Sequence, residues 1–154
     1  MKLNLQYTSH LDKEHIKEAA KLKDGEDAML NGWDHIGSGV FKKAYKKGNV
    51  VVKFNNQQPS HNMHMLREVV LYKDAHRKYK RHLARIFGGN GEKIIQKFLD
   101  YDKHCPFNKE DKDKMRKIGV ALGISDYFPG TNVVKTKDNT VVFYDFSGHS
   151  LTNI

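Results

Sequence analysis

The first periodic stretch opens at Ser9-x-x-Asp12, the signature of a helix start, with Ile16, Ala19 and Ala20 following at i, i+3, i+4 spacing. This predicts a helix over about 11–22, broken by Lys-Asp-Gly-Glu at 23–26. From Trp33 the pattern turns to strands: WDHIGSGV, then FKKAYKKG and NVVVKF, the last two joined by a tight Gly48-Asn49 turn. Together they predict an antiparallel three-strand meander. Pro59-Ser60 starts a second helix, in which Met63, Leu66, Val70 and Lys73 form one stripe and Leu71, Tyr72 and Ala75 another. LARIF, GGNG at 88–91 and KIIQKFL give a second hairpin. Met115, Ile118 and Leu122 mark a third helix with Gly123 as its stop. NVVKT and TVVFYDF close the series, linked by a turn at Lys137-Asp138-Asn139. The order is helix, three strands, helix, two strands, helix, two strands, which is an α+β arrangement.

Length and composition narrow the picture. The chain has 154 residues, about one domain's worth, with 38% hydrophobic and 29% charged residues. Mean hydropathy is −0.71, and the longest apolar runs, such as Val50-Val51-Val52, fall far short of the roughly 20 residues of a spanning helix. No membrane association and no signal peptide are expected from this pattern. The lone Cys105 allows no internal disulfide and fits a reducing, cytoplasmic setting.

Charge adds a partner class. Twenty-seven Lys and Arg against 18 Asp and Glu leave a net charge of +9. Such a surplus favours polyanions: nucleic acid, nucleotide phosphates or acidic proteins. Two runs concentrate it, Lys73–Arg85 with six Lys/Arg against one Asp, and Lys103–Lys117 with six against three acids. Each is either a solvated helix face or a docking surface, and charge alone does not choose.

Four short pieces carry candidate chemistry. Ile36-Gly37-Ser38-Gly39-Val40-Phe41 is a glycine-rich turn between two strands, where backbone N–H groups can approach phosphate oxygens closely, or an ordinary strand connection. It is not a P-loop, which requires G-x-x-x-x-G-K-[ST] before a helix. Lys53 ends an apolar strand, and an ammonium there is costly unless paired. Its natural partner is Glu68 on the following helix; the other reading is an edge lysine beside an exposed glutamate. Asp126-Tyr-Phe-Pro-Gly-Thr-Asn132 puts a carboxylate and an amide around a Pro-Gly loop, as proton acceptor and metal ligand or as turn residues. Finally, Asp145 sits at the end of the strand Val141-Val142-Phe143-Tyr144, where a hard oxygen ligand for Mg²⁺ is well placed.

Taken in this order, the four pieces resemble the protein-kinase-like fold over about residues 33–148: a Gly-rich loop, a strand lysine, a helix glutamate, a catalytic-loop aspartate and asparagine, and an Asp-Phe-Gly metal site. The resemblance implies one kinase-like domain over 1–154, with a helical extension at 1–30, an antiparallel first lobe at 31–98 and a much reduced helical second lobe at 99–154. It implies ATP and Mg²⁺ as cofactors. Gly37, Ser38 and Gly39 then cover the phosphates, and Lys53 holds the α- and β-phosphates while paired with Glu68. Asn132 and Asp145 bind Mg²⁺, and Asp126 accepts the proton of the attacking hydroxyl. The adenine lies near Gln96-Lys97-Phe98-Leu99, whose backbone supplies the base-edge hydrogen bonds.

The sequence also departs from the family pattern. Lys42 stands where a third glycine is expected, implying a stiffer loop, and Ile124-Ser125 replaces the His-containing dipeptide before the catalytic aspartate. The gap from Asp126 to Asn132 is one residue longer than usual, which displaces Asp126 from the base position. Pro129-Gly130 is closer to small-molecule phosphotransferases such as aminoglycoside kinases. Ser147 stands in the Asp-Phe-Gly site before Gly148, and the sequence ends six residues later, without the later helices that grip a peptide. A chain this short resembles the minimal kinases of bacteriophages, which act in the host cytoplasm. The expected activity is therefore transfer of a γ-phosphate to a hydroxyl, protein Ser/Thr first. The alternatives are a pseudokinase serving as a nucleotide- or protein-binding module, and a basic nucleic-acid-binding protein, the least favoured. The basic runs suit an acidic protein partner or a homodimer that completes a substrate groove. His61 and His64 lack a third ligand at metal spacing, Cys105 lacks an adjacent base, and Trp33 and Tyr101 read as packing residues.

Overall fold

Ser9 caps the first helix as its spacing predicts. Its hydroxyl accepts from the Asp12 N–H at 3.1 Å, and α1 runs from His10 to Lys21. The Lys-Asp-Gly-Glu break, expected as plain loop, begins a second helix, α2 (Gly25–Leu30). Asp24 caps it by accepting from the Asp27 N–H at 2.8 Å, while the Asp27 carboxylate reaches back to the Lys23 N–H. The computed structural model describes residues 1–38, 42–55, 62–101, 106–124, 128–129 and 132–146. These divide into two units, Met1–Val69 with Arg85–Phe98, and Val70–Ala84 with Leu99–Ile154.

The first unit is built on a five-stranded antiparallel sheet: β1 (Asp34–Ser38), β2 (Lys42–Lys47), β3 (Val50–Asn55), β4 (Ile86–Gly89) and β5 (Lys93–Lys97), in the order β1-β2-β3-β5-β4. The β2–β3 hairpin closes at Gly48, whose φ of +58° is the left-handed conformation a two-residue turn needs. Strand β3 is buried at every position from Val50 to Phe54. An uninterrupted apolar run instead of alternation is what a strand covered on both faces requires.

One covering layer is the N-terminal segment. Ile16, Ala19, Leu22 and Ala28 pack with Trp33, Tyr45, Val50, Val52, Phe54, Phe87 and Ile95 in one apolar cluster. Two polar anchors fix it. Lys93, on β5, sends its ammonium to the carbonyls of Ala19, Ala20 and Leu22 at 3.0, 2.7 and 2.7 Å, closing the C-terminal end of α1. Glu18 accepts from the Trp33 indole N–H at 2.8 Å and from Lys47 at 2.9 Å. The chain before α1 runs beside β4, with the Asn4 N–H donating to the Phe87 carbonyl at 2.7 Å. A Cβ at Gly88 would lie 3.0 Å from the Lys2 carbonyl oxygen and 2.8 Å from Leu3 Cδ2, so this close approach favours glycine. Residues 1–30 are thus part of the core of this unit and not an appendage to it.

The third helix, α3 (Asn62–Asp74), begins in the first unit and ends in the second. Its inward residues are His64, Met65 and Glu68, while Met63, Leu66 and Val70 form an exposed stripe. The predicted helix start at Pro59-Ser60 lies outside the described residues.

In the second unit, a one-turn helix α4 (Arg77–Lys80) precedes the segment His82–Ala84, which runs beside a two-stranded antiparallel ladder of β6 (Val133–Lys135) and β7 (Val141–Phe143). The Phe143 N–H donates to the His82 carbonyl at 2.8 Å, and the Ala84 N–H to the Phe143 carbonyl at 2.7 Å. Helix α5 (Lys109–Leu122) has a full capping box between Asn108 and Asp111 and stops at Gly123, φ +71°, as its sequence predicts. Met115 and Ile118 are buried, as are Leu83, Val133, Val134, Val141 and Phe143. A Lys135–Asp111 ion pair at 2.8 Å, with both side chains largely buried, joins β6 to α5. Its hydrogen bond holds the Asp111 carboxyl below the usual carboxylate range. Among the described residues no helix is long and apolar enough to cross a membrane.

Candidate functional site

The first unit carries the lysine and the glutamate. Lys53 lies on β3 with its side chain on the face opposite the N-terminal cluster, because register puts it level with Ala44 and Ile94 while Val52 and Phe54 point the other way. From there its ammonium reaches Glu68 Oε1 at 2.7 Å. Glu68 is fully buried and Lys53 only 5% exposed. Leu71 and Tyr72, at i+3 and i+4 from Glu68, suggest that this helix face turns inward; Glu68 is buried, while Leu71 and Tyr72 are half-buried.

A second cation shares that carboxylate. Lys42 donates to Glu68 Oε2 at 2.8 Å, with its side chain 9% exposed. Sequence reasoning treats Lys42 only as a missing glycine. The signal that could have found it is register: with Gly48-Asn49 as the turn, Lys42 and Ala44 fall on the same sheet face as Lys53. Each carboxylate oxygen therefore holds one ammonium, and the geometry fixes both lysine heads at one point.

The glycine-rich turn is described up to Ser38. Gly37 lies on β1 beside a register irregularity between His35 and Gly37, and a Cβ there would meet nothing within 4 Å. Glycine at 37 thus leaves open space above the strand. Ser38 Oγ lies 2.7 Å from His35 Nε2. Gly39 lies outside the described residues.

At the far end of the sheet, Gln96 is buried on β5. The Lys97 N–H donates to the Arg85 carbonyl and the Phe98 N–H to the Asn49 carbonyl, both at 2.8 Å. The Phe98 ring lies under the Lys46 ammonium at 4.3 Å. The expectation that the backbone of 96–99 supplies base-edge hydrogen bonds is narrowed accordingly. The amides of Lys97 and Phe98 are already spent within this unit.

The second unit carries the metal-ligand candidates. Asn132 immediately precedes β6 and is buried. Its Oδ1 accepts from the Phe128 N–H at 2.7 Å, and its carbonyl accepts from the Tyr144 N–H at 3.0 Å. That last bond extends the β6–β7 ladder by one rung and places Asp145 one residue beyond the partner of Asn132. A hairpin therefore brings the backbones of the two sequence candidates, 13 positions apart, to neighbouring positions. Asp145 is half-buried. Between them Tyr144 stacks on Tyr101, ring centres 6.4 Å apart, and burial pushes its hydroxyl well above the ordinary tyrosine range, so it stays neutral beside Asp145. An amide oxygen and a carboxylate oxygen at adjoining strand ends are hard donors of the kind Mg²⁺ takes alongside phosphate oxygens and water. Asp126 lies outside the described residues, as do His61 and Cys105. His64 is buried, and among the described residues no three His, Cys, Asp or Glu side chains cluster as a metal site. Trp33 is a core residue, as its sequence context indicates.

No protein-family model matches the sequence, and a search among curated proteins finds no match.

Proposed function

We propose that the protein is an ATP- and Mg²⁺-dependent phosphotransferase of kinase-like fold that modifies a hydroxyl acceptor, protein Ser/Thr first. The observation that carries the reading is the buried Lys53–Glu68 pair at 2.7 Å, which joins a sheet strand to the following helix next to a glycine-rich strand connection. Such a pair is weak support for stability, because desolvating both ions cancels most of their attraction. It is good support for a lysine head held in one place for a ligand. The order of elements and the Asn132–Asp145 hairpin add to the reading.

On this reading Lys53 neutralises the α- and β-phosphates, and Glu68 fixes its ammonium. Gly37, Ser38 and Gly39 lie over the phosphates. Asn132 and Asp145 hold Mg²⁺, whose charge offsets that of the phosphate oxygens. Asp126 takes the proton of the acceptor hydroxyl as its oxygen bonds to the γ-phosphorus and the bond to the ADP oxygen breaks. Most of the catalysis is then positioning and charge neutralisation.

The basic run supports a partner as well. Lys73, Arg77, Lys78 and Arg81 are exposed, and none of them forms an ion pair among the described residues. The partner proposed for this surface is an acidic protein.

The test is transfer of radiolabel from γ-labelled ATP by the full chain, against Lys53→Ala and Asp145→Ala. Transfer by the wild type that falls by about 10²-fold or more in both variants supports the reading. Nucleotide binding without transfer makes the protein a pseudokinase. Equal labelling in all three proteins, or no nucleotide binding at all, overturns the assignment.

A further inference from the structure

We propose that Lys42 is a second phosphate-binding lysine, held beside Lys53 by the shared carboxylate of Glu68; the inference rests on the nucleotide reading above and adds to it a residue from a different strand. Lys42 and Lys53 are diagonal neighbours on one face of the β2–β3 ladder, since Lys42 pairs with Asn55 and Ala44 with Lys53. A lysine at the start of a strand has four methylenes with which to carry its charge out to water, and that is its usual course. Lys42 instead turns inward and places its ammonium 2.8 Å from Glu68 Oε2.

Neutralising Glu68 does not require this, because Lys53 already sits on Oε1 at 2.7 Å. What the second lysine adds is a second ammonium on the other oxygen of the same carboxylate. A carboxylate whose two oxygens each hold one lysine acts as a fork that sets both heads in a fixed relation. A phosphate group drawn to Lys53 then meets two cations in place of one. Position also favours it: Lys42 opens β2 three residues after Gly39, beyond Val40 and Phe41, in the slot where glycine-rich loops carry a further glycine. A loop that gives up a backbone approach there gains a charge instead. Phosphate recognition is thus divided between β2 and β3.

The experiment is calorimetric titration of the full chain with ATP, AMP and adenosine, for wild type, Lys42→Met, Lys42→Arg and Lys53→Met. Expected is a loss of ATP affinity of about tenfold or more in Lys42→Met, the scale of one charge-assisted hydrogen bond. Adenosine, which has no phosphate, should bind wild type and Lys42→Met alike, and Lys42→Arg should recover most of the ATP affinity. A purely structural role for Lys42 does not distinguish ATP from adenosine. In the unmodified protein, reductive methylation read by mass spectrometry provides a check independent of whether the variants fold: ATP, and not adenosine, should protect Lys42. ATP binding by Lys42→Met equal to wild type, or methylation of Lys42 unchanged by ATP, overturns the proposal while leaving the nucleotide reading in place. Failure of the wild type to bind ATP overturns both.

Discussion

Glu68 is the residue on which the first unit's polar interior turns, and its energetics differ from those of the lysines around it. Removing Glu68 takes a partner from two buried ammoniums at once; removing either lysine leaves the carboxylate with the other. Glu68→Gln is therefore expected to cost about 3–5 kcal/mol, and Lys53→Met distinctly less, as read by urea unfolding of both variants. Equal losses would mean that the shared carboxylate is not the hub. His82 is the corresponding single residue in the second unit. Buried at 5% exposure, its Nδ1 lies 2.8 Å from the Val141 carbonyl and its Nε2 accepts from Arg81. Burial holds its pKa below the ordinary value, and the Arg81 and Lys114 charges push the same way against the Val141 hydrogen bond. A lowered folded value means the unfolded chain takes up the proton first as pH falls. The contribution is thus complete above about pH 6.5 and is lost as pH drops through the folded value. Urea midpoints measured from pH 7.5 to 5 should fall, and His82→Asn should flatten that slope; an unchanged slope would show that His82 is not its source.

At the scale of elements, helix ends decide what the periodicity leaves open. The Ser9 and Gly123 signals are local, a hydroxyl three residues from an amide and a glycine at a left-handed stop, and both appear in the chain where the structure uses them. Asn108→Ala should cost about 1 kcal/mol, because it removes one side of a reciprocal cap. The C-terminal end of α1 is different. Its carbonyls are satisfied by Lys93, more than 70 positions away on β5. Burial pushes the Lys93 ammonium below its ordinary range, yet three carbonyls hold it in place. Lys93→Met should destabilise the fold by about 2–4 kcal/mol, and hydrogen exchange should show faster opening of α1 than of α5. Protection of α1 equal to that in the wild type would count against the anchor.

For the molecule as a whole, the N-terminal segment sets the boundary of what can fold. Ile16, Ala19 and Leu22 cover the sheet face that carries Tyr45, Val50, Val52 and Phe54. Burying Ile16 and Leu22 contributes about 1.5–3 kcal/mol each and Ala19 about 0.8 kcal/mol, a sum comparable with the low end of a typical domain's total stability. Deleting residues 1–24 should therefore give a protein that binds a hydrophobic dye and aggregates, and a soluble, cooperatively melting product would refute the integral role of this layer. Surface charge acts on a different property. Arg77→Glu with Lys78→Glu should leave the melting temperature unchanged and weaken capture of an acidic protein partner, with a salt dependence that the wild type shows and the variant loses.

Which of these features could be seen in the chain before folding depends on how far apart their parts lie. The order of the three longer helices and of the strands, the two helix caps, the tight turns and the need of a buried Lys53 for a nearby acid are all consequences of side-chain period and short-range chemistry, so the amino-acid order by itself determined them, while the short helices α2 and α4 carry no such period and were not legible. The backbones of Asn132 and Asp145 come to neighbouring positions for a similar reason, since a short hairpin joins them. Lys42 as a second occupant of Glu68, Lys93 as the closure of α1, the loss of the Lys97 and Phe98 amides to Arg85 and Asn49, and the use of the first helices as one layer of a core were decided only in three dimensions. Each depends on which sheet face a strand turns toward and which distant segment covers it, and strand register and long-range burial are set by the energy of the assembled core, which no single stretch of chain contains.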